Sequence, residues 1–281
     1  MLPLRIGFNP NLRSESRRRL HEQLRRVVDV AVRLEFQIVE LNLTTSMYDL
    51  GLDTVYDAGV FEILDSSPVR FHLNVFRDAS EREWPAISDV NAYSRSIALR
   101  QLVQIVEHFE RRHAMEMYLV HPGQRVAPEV SHVDAVREAF RTLHNLYPGL
   151  PIAVVNAPQG DVLGEIDSVL EMLDASADVR LALHTGWAFH SVDADHLAFE
   201  TRMRYLRRFS DRLAEIRWHN TAPGRQPSVP LHVALERGID LGALMRTIGR
   251  NPGTVHMIDT VGLNPAALVR EVRMLNRALS R

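Results

Sequence analysis

Four of the thirteen histidines stand at or near the end of short apolar runs: His72 in VRFHLNV, His121 in MEMYLVH, His184 in VRLALH and His219 in EIRWHN. Neutral imidazole carries protons near neutral pH and binds zinc, manganese, iron or cobalt. His184, His219 and Asp259, the last closing TVHMIDT, have the two-histidine, one-carboxylate composition that holds one such ion. Glu40 near the end of FQIVELN is a carboxylate able to serve as acid or base or to hold a substrate hydroxyl. Asn9, Asn74, Asn156 and Asn220 occupy comparable places, and Asn74 is a candidate substrate contact. In HPGQR the proline and glycine fix a turn after His121, from which Arg125 can reach an anionic substrate. Each residue alone has a plainer reading as a hydrogen-bonded or solvated group, and their recurrence at run ends is what points to one site.

A single mouth requires elements that bring these ends together. Eight β-rich runs, 4–9, 36–42, 69–75, 115–121, 151–157, 179–184, 215–220 and 254–260, alternate with stretches of helical period. In 91–112, for example, Ile97, Leu102, Ile105, Val106 and Phe109 recur at helical spacing while Arg95, Glu107 and Glu110 fall elsewhere. Eight such pairs within 281 residues predict an α/β fold, a single (β/α)8 barrel with its chemistry at the C-terminal strand ends. The alternative, a doubly wound sheet, normally has a glycine-rich first turn, and GFNPNL lacks one. With no linker or break in composition, one domain over residues 1–281 is expected.

Hydrophobic residues at 46% and charged residues at 24% suit a globular enzyme and argue against disorder. A formal charge of −2 supplies no global attraction for nucleic acid. The absence of cysteine excludes disulfides, thiolate nucleophiles and Cys-based metal sites. No run approaches the roughly 20 apolar residues of a membrane span, and MLPLRIGFNPNL is unlike a secretory leader, so a cytoplasmic location is expected. Phosphate-loop, Gly-x-Ser-x-Gly and His-Glu-x-x-His motifs are absent. The Arg17–Arg19, Arg111–Arg112 and Arg207–Arg208 runs lie in helical segments and read as solvated faces.

The order of LEFQIVEL (34–41), VRFHLNVF (69–76), LVHPGQR (119–125), VVNAP (154–158), LALHTGWAF (181–189), IRWHNT (216–221) and HVALERGIDLGAL (232–244) resembles the xylose-isomerase-like TIM barrels. That superfamily includes sugar isomerases and epimerases, certain dehydratases and AP-endonuclease-type enzymes. The resemblance implies family ligand positions at His72, His121, Asn156, His184, Trp187, His219, Pro230, His232 and Asp259. Five depart from the family pattern: Asn156 replaces a glutamate, His184 an aspartate, Trp187 a histidine, Pro230 an aspartate and Asp259 a glutamate. A trinuclear, DNA-cleaving site is thereby disfavoured.

The resemblance implies a metal-dependent isomerase, epimerase or dehydratase for a small sugar-like or polyhydroxylated metabolite. One divalent ion (Mn, Zn, Co or Fe) would be held by His184, His219, Asp259 and Asn156, with Asp259, Glu40, His72 or His121 moving the proton. Asn74, Trp187, His232 and Arg125 would contact substrate. Two alternatives stay open: a divergent barrel without the metal, binding a metabolite or using histidine acid–base chemistry, and an AP-endonuclease-like phosphodiesterase. Loops 45–54, 76–90 and 221–231 are placed to act as lids or as contacts of a homo-oligomer.

Overall fold

The structure is a computed structural model, describing residues 5–10, 12, 17–75, 86–125, 127–158, 161–189, 196–222, 226–229, 242–244, 251, 253–259 and 265–280. Eight parallel strands close a barrel: β1 (Arg5–Asn9), β2 (Ile38–Leu43), β3 (Arg70–Val75), β4 (Met117–Val120), β5 (Ile152–Val155), β6 (Leu181–His184), β7 (Leu213–Arg217) and β10 (Val255–Asp259). Between β7 and β10 lies a two-stranded antiparallel hairpin, β8 (Asn220–Ala222) and β9 (Gln226–Val229). The barrel order is β1-β10-β7-β6-β5-β4-β3-β2, so the first and last barrel strands close the ring.

The strands are short because both faces are buried and each helix returns the chain after a single layer of packing. In α1 (Arg17–Arg33), Leu20, Leu24, Val27 and Ala31 form the inner stripe and are all buried. α2 (Thr45–Asp49) and α3 (Leu52–Val55) occupy the segment expected to be a loop, followed by α4 (Ala58–Ser66), which Asp57 caps by accepting from Val60 N at 3.0 Å. α5 (Ala92–Glu110) starts where Asn91 Oδ1 accepts from the backbone N–H of Tyr93 and Ser94. Arg95, expected on its polar side, is instead buried and bonded to Asp89 O and Glu138. α6 (Glu129–Leu146), α7 (Ile166–Ala175), α8 (Thr185–Ala188), α9 (His196–Arg207) and α10 (Pro265–Ser280) follow, with a 3-10 turn at Ser210–Arg212. Among the described residues, no helix is long and apolar enough to cross a membrane.

The barrel floor explains Gly7. A Cβ there would lie 2.9 Å from Ile38 Cβ and 3.0 Å from Met257 Cε, inside the apolar plug that Ile38 and Met257 form with Val255. On the other side of the lumen, Met117, Leu119, Ala153, Val155 and Ala182 make a second apolar cluster. The interior is thus closed from below, and the residues above these plugs face the C-terminal mouth.

Candidate functional site

Alternation along a strand places every second side chain toward the barrel axis. On β2 these are Glu40 and Asn42, in register with His72 and Asn74 on β3. β7 supplies Glu215 and Arg217. Glu40, His72, Asn74, Glu215 and Arg217 are all fully buried. Their contacts cross the barrel between strands that are not neighbours in the sheet. His72 Nδ1 lies 2.7 Å from Glu215 Oε2, and Arg217 Nη2 donates to Glu40 Oε2 at 2.5 Å.

The contacts form one chain. Arg217 Nε donates to Glu215 Oε1 at 2.8 Å, so a single guanidinium joins both carboxylates. Glu40 Oε1 accepts from Asn9 Nδ2 at 2.6 Å and from Asn74 Nδ2 at 2.7 Å. The far end of the Asn74 amide, Oδ1, lies 3.0 Å from His121 Nε2. Burial pushes the Glu215 carboxyl up, but the Arg217 charge and the His72 hydrogen bond outweigh it and hold the group below its usual value. The charged network therefore runs from His72 through Glu215, Arg217, Glu40 and Asn74 to His121.

His121 is held at the rim by its own loop. Gly123 has φ +111°, and a Cβ there would meet Ala86 Cβ at 2.3 Å. Ser88 N donates to Pro122 O at 3.3 Å, while His132 bridges the two segments through Ser88 O at 2.8 Å and Ala127 N at 3.0 Å. On the adjoining loop, burial pushes the Asp161 carboxyl up while Arg125 pulls it the other way. Arg125 itself is exposed.

Across the mouth, His184 stacks on Trp187 at 3.8 Å and 7°, and on His219 at 4.3 Å and 13°. The backbone N–H of Trp187 donates to His184 Nδ1 at 3.3 Å. His219 follows β7 rather than ending it, and Thr185 Oγ1 fixes it by donating to His219 O at 2.7 Å and accepting from His219 N at 2.8 Å. Trp187 also packs against the apolar cluster of β4, β5 and β6. One side of the lumen is charged and the other aromatic and apolar.

The described part of the expected metal set does not fit a metal. Ligand lone pairs lie in the imidazole plane at about 2.0–2.1 Å from the ion. Rings stacked in nearly parallel planes direct those lone pairs side by side, so His184 and His219 do not converge on one ion. Asn156 is occupied as a clamp on His184, accepting from its N at 2.5 Å and donating to its O at 3.2 Å. Among the described residues, no group of three His, Asp or Glu side chains is placed to hold a metal. The side chain of Asp259, and His232 and Pro230 altogether, lie outside the described residues.

Glu40 and His72, expected as proton carriers, and Asn74, expected as a substrate contact, all lie in the buried network, with both ends of the Asn74 amide engaged. Sequence reasoning missed Glu215 and Arg217. Their signal was the alternation Glu215-x-Arg217, which puts two charged groups on one strand face just before His219.

The architecture aligns over almost its full length with solved enzymes. D-allulose 3-epimerase from Methylomonas sp. is 13% identical at TM-score 0.62, covering 98% of each chain. The chain has the xylose-isomerase-like barrel fold. The 3-keto-D-glucoside 4-epimerase from E. coli is 12% identical at TM-score 0.59, covering 98% of this chain and 100% of that one. An AP endonuclease of family 2 from Brucella melitensis is 16% identical at TM-score 0.64, covering 96% and 99%. No protein-family model and no curated protein matches the sequence.

Proposed function

We propose that this barrel is a metal-independent acid–base enzyme that isomerises or epimerises a small polyhydroxylated carbonyl compound. The observation that carries the reading is the buried charged chain that ends on His121 at the mouth, opposite the stacked His184, His219 and Trp187. Two solved relatives by fold are named as sugar epimerases, which supports the substrate class.

In this reading His121 and His219, each 7% exposed, are the imidazoles that reach substrate. They follow β4 and β7, strands separated by two others around the ring. Their approach from separate sides suits removal of a proton from the carbon beside a carbonyl by one and its return to the opposite face by the other. The hydroxyls would face the polar side of the mouth, and the C–H face would lie against Trp187.

The test is solvent-deuterium incorporation. A panel of ketoses, aldoses and hydroxy-keto acids is incubated in D2O with chelator-treated protein, and carbon-bound deuterium is read by mass spectrometry and NMR. Label in at least one compound, with a loss of about 10²-fold or more in His121→Ala, is expected. Activity that disappears with chelator and returns with manganese, zinc, cobalt or iron overturns the metal-independent reading. No label across the panel overturns the reaction class.

A further inference from the structure

The same contacts specify which nitrogen of His121 exchanges protons. Glu40 accepts hydrogen bonds from Asn9 and Asn74 and a charge-assisted one from Arg217. A carboxylate so held is ionised and can only accept. The Asn74 atom 2.7 Å from it must then be the amide nitrogen, so the amide oxygen is the atom 3.0 Å from His121 Nε2. That oxygen accepts, and Nε2 must carry the hydrogen. Arg217 sets the charge of Glu40, Glu40 sets the orientation of Asn74, and Asn74 sets the tautomer of His121.

We propose that Asn74 is a positioning residue that fixes His121 as the Nε2–H tautomer, leaving Nδ1 as its proton-exchanging atom. The tautomer is a property of the folded chain; only its use as the base atom rests on the acid–base reading above. The other end of the network has the opposite assignment. His72 presents Nδ1 to a Glu215 carboxylate oxygen, so Nδ1 carries hydrogen there, and its buried Nε2 makes no hydrogen bond among the described residues. One ionic lattice thereby writes different tautomers on two histidines 49 residues apart in sequence.

The experiment is a long-range ¹H–¹⁵N correlation spectrum of the full chain labelled at histidine nitrogens, at a pH where His121 is neutral. His121 is assigned by the signals lost in His121→Gln. The expected spectrum shows a protonated, pyrrole-type Nε2 and a pyridine-type Nδ1. In Asn74→Leu and Glu40→Gln the two nitrogens should move toward intermediate shifts as both tautomers become populated, whereas Asn74→Asp, which keeps an acceptor, should retain Nε2–H. A pyridine-type Nε2 in the parent protein overturns the proposal outright, without need of any variant. An unchanged tautomer in both Asn74→Leu and Glu40→Gln also overturns it. Because the readout needs no substrate, a correct tautomer with no deuterium incorporation would reject the proposed reaction and leave this inference standing.

Discussion

Replacing Arg217 with methionine removes the one described cation that joins two fully buried carboxylates. Methionine keeps much of the volume, so the cost is electrostatic. Breaking a buried pair by deleting one partner typically costs about 3–5 kcal/mol, because a charge is left uncompensated. Here two are left, and protonation of one of them in the variant limits the total to about the same range. For a chain of this size, that corresponds to a fall in Tm on the order of 5–10 °C. The pH dependence should also reverse. In the parent, the Glu215 carboxyl lies below its usual value, so it adds stability above the unfolded-state value and loses it as pH falls through the folded one. Without Arg217, burial dominates and the folded value rises above the unfolded one, so acidification from neutral pH stabilises the variant. Urea unfolding between pH 7 and pH 3 measures both effects. Adding Glu40→Gln and Glu215→Gln to Arg217→Met should recover part of the loss. An Arg217→Met protein within about 1 kcal/mol of the parent at pH 7, with unchanged pH slope, would refute the lattice as described.

Trp187→Ala should raise KM for the deuterium-exchange substrate about tenfold with a smaller change in kcat, because the indole offers a binding face and no proton; steady-state kinetics check this. His132→Ala should lose about 2–3 kcal/mol in urea unfolding, since it cuts one buried and one part-buried hydrogen bond joining the segments around Ser88 and Ala127, and hydrogen exchange should quicken over 121–125. Gly7→Ala should cost about 1–3 kcal/mol by thermal unfolding, because its Cβ would overlap Ile38 and crowd Met257.

The barrel was legible because eight apolar runs separated by amphipathic stretches have few other solutions, and each expected run contains part of an observed strand. The ends were less legible. MEMYLVH predicts a strand through His121, yet pairing stops at Val120 because Pro122 and the positive φ of Gly123 turn the chain. The β8–β9 hairpin carried little signal, since QPSV is short and contains proline. At the site, residue type was a weaker guide than parity. His184 and His219 stack on each other, but Asn156 and Asn74 face partners that their identity does not reveal. The decisive pairs, His72 with Glu215 and Arg217 with Glu40, join residues 143 and 177 positions apart and form only when the sheet closes.

Closure also explains why a dication and this lattice compete for the same groups. Both oxygens of Glu40 and both of Glu215 already accept hydrogen bonds, and Arg217 supplies one to each residue. An ion ligated by either glutamate would sit beside the guanidinium that β7 keeps in the lumen. A dication about 5 Å from that guanidinium would meet repulsion on the order of 7 kcal/mol at an effective dielectric near 20. Arg217 thus brings a fixed positive charge into the lumen from the end of β7, and its contact with Glu40 is linked through Asn74 to His121.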